Sequence, residues 1–125
     1  MMKQRVLLVL LGLLSFSSCA VCDESSLSEV NSPDANYVAT VFRRNCGATS
    51  ALLYHVNVRK RGSSNPADHR GVIERGQVFL TDAGKVNIFW KDNRTLVVDC
   101  ESCPPERKPI MNNAWEDVNI VFQLH

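Results

Sequence analysis

From residue 37 onward, apolar and polar side chains alternate with period two, the signature of half-buried strands rather than of helices. "YVATVFR" (37–43) and "LYHVNVR" (53–59) are rich in β-branched and aromatic residues. In the second, Tyr54, Val56 and Val58 share one face, with His55 and Asn57 opposite. "QVFLT" (77–81), "VNIFW" (86–90) and "TLVVD" (95–99) follow. In "DVNIVFQL" (117–124), Val118, Ile120, Phe122 and Leu124 fall on one side. Turn-forming clusters separate them: "RGSSNPADHRG", "TDAGK" and "KDNRT". No stretch carries three turns of amphipathic helix. The pattern predicts an all-β domain over 36–125, a sandwich or partly open barrel of five to seven mostly antiparallel strands. "CPPERKPIMNN" reads as an extended crossover before the last strand. Such a strand would return to an earlier one, the first being the expected partner, instead of pairing with its predecessor in a hairpin.

The N-terminus breaks the alternation. Lys3 and Arg5 precede an apolar run from Val6 to Leu14, interrupted only by Gly12. That run is too short for a permanent transmembrane helix and reads as a secretory signal peptide, residues 1–18. Two cleavages fit the residues after it. "FSSC" resembles a bacterial lipoprotein box, with cleavage before Cys19 and acylation of its thiol; Ala20 would then imply outer-membrane sorting. Ser18-Cys19-Ala20 also suits ordinary secretion, with Val21 as the new terminus. The polar stretch after Cys19 reads as a flexible tether over 19–35. The expected location is the cell envelope, lipid-anchored and facing the periplasm, with a soluble secreted form as the alternative.

Charge narrows the partners. Lys3 and Arg5 leave with the signal, taking the 14 basic side chains to 12 against 13 acidic ones. A chain so balanced has no electrostatic footprint for nucleic acid. Arg59-Lys60-Arg61 reads as a solvated strand end.

Either cleavage leaves four cysteines with free thiols, Cys22, Cys46, Cys100 and Cys103, since Cys19 is either acylated or removed. In an oxidising compartment they are disulfide candidates with three possible connectivities. Cys100 and Cys103 have half the spacing of a zinc ribbon. No second such pair and no closely spaced histidine pair exists, so neither metal nor cofactor is expected. Redox use of the same pair is the stronger rival, but Pro104-Pro105 deprives it of a regular helix N-terminus. Cys46 would be a nucleophile only with His55 or His69 beside it, and no cysteine-hydrolase motif surrounds it. His125 is expected to fray. The acidic residues form no glycosidase-like pair. Trp90 and Trp115 are core anchors or, on a sharper reading, a partner surface. No catalytic residue is assigned.

"SPDANYVATVFRRNCGATS" (32–50), Val56-Asn57-Val58 and "WKDNRTL" (90–96) together resemble the core of a family of small bacterial envelope proteins of unknown function, many of them lipoproteins. Ala35 replaces a turn glycine of that pattern, Ser50 replaces a threonine, and the Cys100/Cys103 pair is an addition. The resemblance implies an envelope location and an all-β fold and supplies no activity. Three functions follow as expectations. The leading one is a non-catalytic lipoprotein that binds an envelope protein or has a structural role. The second is an inhibitor of a toxin or lysozyme-like enzyme. The third is a thiol protein using Cys46 or Cys100/Cys103.

Overall fold

The computed structural model describes residues 22–48, 51–63 and 76–125. The signal segment, Cys19 and His69 lie outside them. The alternating segments become strands β2 (Tyr37–Asn45), β3 (Leu53–Lys60), β4 (Gln77–Thr81), β5 (Lys85–Asp92), β6 (Thr95–Glu101) and β9 (Val118–Leu124). Three further strands join them: β1 (Asp23–Asn31), β7 (Ile110–Met111) and β8 (Ala114–Trp115). They form a sandwich of two sheets, ordered β1-β2-β3-β4-β7 and β5-β6-β9-β8. Every pairing is antiparallel except β6 with β9.

The inward faces follow the alternation. Tyr37, Ala39 and Val41 of β2 and Val56 and Val58 of β3 meet Ile88 of β5, Leu96 and Val98 of β6 and Val118 and Ile120 of β9 in one apolar core. Burying each such side chain contributes roughly 1.5–3 kcal/mol. The opposite face of β2 and β3 is not solvated. Val38, Thr40, Phe42, His55 and Asn57 are all buried there.

The tether expected over 19–35 is corrected by β1. Residues 23–31 pair with β2 along their length, Asp23 opposite Asn45 through Asn31 opposite Val38, with a bulge between Ser26 and Ser28. This strand has no apolar alternation, and backbone bonding and cross-strand charge hold it instead. Glu24 lies opposite Arg44 in register and pairs with its Nε at 3.1 Å. Glu29 reaches Arg59 at 3.3 Å. A disulfide closes one end of the hairpin and a side-chain-bonded turn the other.

The topology expected of the last strand is corrected in part. β9 makes no hairpin with β6, but its partner is β6, in parallel, and not the first strand; Thr95 lies opposite Asn119 and Cys100 opposite Leu124. A parallel neighbour needs a crossover, and residues 102–117 supply it. They pass through a 3-10 turn at Pro105–Arg107, add β7 to the edge of the first sheet beside β4, then add β8 to the second beside β9.

Candidate functional site

The hairpin register places Cys22 and Cys46 one pair beyond Asp23 and Asn45, and they are joined, with Cα atoms 4.0 Å apart. Cys100 and Cys103 are joined at the end of β6 and are almost wholly inaccessible. The β4–β5 turn lies on the second bond. Gly84 there has φ +91°, and any side chain at that position would strike Cys103 Sγ and the Glu101 carbonyl. His125, expected to fray, brackets the same loop. Its N–H donates to the Cys100 carbonyl at 3.0 Å, its carbonyl accepts from the Cys103 N–H at 3.1 Å, and its Nε2 meets Asp99 Oδ1 at 2.7 Å. Pro104 is extended and only the three-residue 3-10 turn follows, so no helix N-terminus faces these sulfurs. Two closed pairs are the mark of a chain that matures in an oxidising compartment, extracellular or periplasmic. No helix of the described residues is long and apolar enough to cross a membrane.

His55, the candidate base on β3, lies opposite Phe42 of β2, four residues before Cys46, and is occupied. Its ring stacks on Phe42 with centroids 5.0 Å apart. Nδ1 bonds Asn57 Oδ1 at 2.8 Å, and Nε2 faces Glu24 Oε2 at 3.5 Å. Glu24 is in turn held by Arg44. Burial lowers the pKa of His55, against the raising effects of its Asn57 bond and the Glu24 charge. With Nδ1 bonded to Asn57, Nε2 buried facing Glu24 and Cys46 in a disulfide, this group packs β1, β2 and β3 together and has no free Cys46 thiol to activate.

The opposite end of the sandwich gathers residues far apart in sequence. Asp34 Oδ1 accepts from Ser32 Oγ at 2.8 Å and from the Asn36 N–H at 3.1 Å, making the β1–β2 turn. Asp92 does the same between β5 and β6, accepting from the Arg94 N–H at 2.9 Å. The two turns touch: the Asp34 N–H donates to Asn93 Oδ1 at 2.9 Å, and Arg94 pairs with Asp34 at 3.0 Å. Arg94 also lies over the Tyr37 ring, 4.8 Å from its centroid. The Tyr37 hydroxyl donates to Asp117 at 3.2 Å. Asp34 is held below its usual pKa, chiefly by the Ser32 hydroxyl, and Asp92 chiefly by the Arg94 N–H. The sequence pieces 32–37 and 90–96 are therefore one clasp between the sheets.

Both tryptophans belong to it. Trp90 stacks on Tyr37 at 6.5 Å and donates to the Val30 carbonyl at 2.9 Å. Trp115 meets Tyr37 edge-on at 6.0 Å. Both pack against the core. Trp115 also lines an open groove of about 560 Å³ with Gln77, Met111, Asn112 and Phe122, at the edge where β7 and β8 end the two sheets.

The exposed apolar feature with most regularity lies elsewhere. In the register of the second sheet, Phe89 of β5, Val97 of β6 and Val121 of β9 stand side by side on its outer face. Phe89 is 48% and Val121 43% exposed, and the two flank a Val97 that is 3% exposed. Asn87, Asp99 and Gln123 form the next row. Strand alternation alone marks Phe89 as facing away from Ile88 and Trp90, but the alignment with Val97 and Val121 needs the parallel register of β9. No family model, curated protein or solved structure matches the chain. No group of three or more His, Cys, Asp or Glu among the described residues could hold a metal ion.

Proposed function

We propose that this chain is an exported, lipid-anchored β-sandwich of the bacterial envelope that acts by binding another envelope protein and not by catalysis. The observation that carries the reading is the exposed apolar pair Phe89 and Val121, set on either side of the buried Val97 on the outer face of the second sheet and bordered by amide and carboxylate side chains. Two further features support it. Cys22, Cys46, Cys100 and Cys103 are closed in pairs, and the buried His55 bonds Asn57 through Nδ1. The lipid anchor rests on the "FSSC" box ending at Cys19.

Crosslinking in intact envelopes, followed by affinity recovery of the wild type and of a Phe89→Asp/Val121→Asp variant, tests the proposal. A partner should be recovered with the wild type and lost with the variant while the Tm is retained. A partner of toxin or wall-hydrolase type would make the role inhibition. Reproducible failure to recover any partner, or equal recovery by both proteins, would overturn the binding face.

A further inference from the structure

The correction of the tether changes what an anchor at Cys19 would do. Strand β1 begins at Asp23, and the preceding Cys22 is bonded to Cys46. Only Ala20 and Val21 separate Cys19 from that bond. The three-residue step from Cys19 to Cys22 reaches at most about 11 Å when fully extended, and Cys46 Cα lies 4.0 Å beyond Cys22 Cα. An acylated Cys19 would keep this end of the sandwich close to the bilayer.

The surface presented there suits that contact. The Cys22–Cys46 bond sets the end of β2 beside the start of β1 and so beside the anchor point. Residues 45–53, "NCGATSALL", carry no charge, while Arg44 precedes them. Gly47, Ala48 and Ala51 are exposed and small, and Leu52 is 39% exposed. On the adjoining β4–β5 turn and crossover Asp82 and Arg107 pair with each other at 3.3 Å, while Lys85, Glu101, Glu106 and Lys108, with Asp23 beside Cys22, are exposed around the uncharged loop. The clasp of Asp34, Asn93, Arg94 and Asp117 occupies the far pole.

We infer that the Cys22–Cys46 pole is a lipid-docking surface. Gly47, Ala48 and Leu52 rest on the headgroups, the clasp points away from the membrane, and the open face of the second sheet stands roughly upright beside it. The docking surface rests on the proposed lipid anchor, so the anchor is measured separately. Full-length protein is purified from membranes, its intact mass is recorded, and it is reconstituted in nanodiscs containing a gadolinium-chelate headgroup lipid. The expected result is an acyl increment on Cys19 and loss of the amide signals of Gly47, Ala48 and Leu52, with those of Ala35 and Asn93 retained. An unmodified Cys19 would overturn the anchor itself. An acylated Cys19 with equal attenuation at both poles, or with loss concentrated at Ala35 and Asn93, would leave the anchor standing and overturn the docking surface. A Gly-Ser insertion of about ten residues between Val21 and Cys22 restores a flexible tether and is expected to abolish the gradient. Its persistence would overturn the short reach as the cause.

Discussion

His55 shows how one residue's environment sets its chemistry. It lies on the sheet face opposite the apolar core, where alternation alone would place it in water, yet it is 1% exposed and stacked on Phe42. Burial makes the folded protein bind the imidazole proton less readily than the unfolded chain does, despite Asn57 and Glu24. As pH falls, the unfolded state therefore takes up the proton first. The stability from this site is complete above the ordinary histidine value of 6.5 and is lost progressively as pH falls below it. Urea midpoints measured between about pH 5 and pH 8 should decline on the acid side for the wild type and decline less for His55→Gln. Parallel profiles for the two proteins would dismiss this role.

Among the elements, β1 separates what alternation reveals from what it hides. The strands whose inward positions are Tyr, Val, Ile or Phe were legible, because burial on one face imposes period two. The turn at Asp92 was legible too, since a carboxylate before a reversal bonds the amide two residues on, whereas Asp34 fell within the stretch read as a tether. β1 was not. Its Ser, Glu and Asp residues have the composition of a linker, and only the ladder to β2, the Glu24–Arg44 and Glu29–Arg59 pairs and the Cys22–Cys46 bond make it a strand. β7 and β8, two residues each, carry no period at all. The outer row of Phe89, Val97 and Val121 was hidden for a further reason, as it depends on a parallel partner that local sequence does not announce. The disulfides should differ in weight accordingly. Closing 24 residues restricts the unfolded chain by about 3–4 kcal/mol and closing three by about 2 kcal/mol. Cys22→Ala/Cys46→Ala is expected to lower the urea midpoint more than Cys100→Ala/Cys103→Ala and to expose β1 to protease. The reverse order would show that packing at the buried sulfurs outweighs chain entropy.

At the scale of the molecule, each pole of the sandwich is fastened by different chemistry. One carries both disulfides, and the other carries the Asp34–Asn93–Arg94–Asp117 clasp with Tyr37 at its centre. The covalent closures of the first pole do not depend on salt, while the ion pairs that fasten the second are exposed and screened. Arg94→Ala is expected to speed hydrogen exchange at Asn36 and neighbouring turn amides while leaving the Cys103 and His125 amides unchanged. Acceleration at both poles alike would mean that the clasp stabilises the whole fold and not one end.

The placing of β9 also carries a consequence for the order in which the protein is made. Residues 118–124 lie inside the second sheet, between β6 and β8, and Val118 and Ile120 complete the core against strands synthesised much earlier. A chain that emerges N-terminus first can therefore form the β1–β2 hairpin early, but one edge of β6 stays unpaired until these residues emerge. Between the emergence of β6 and that of β9, the nascent domain carries an open strand edge that another chain could pair with.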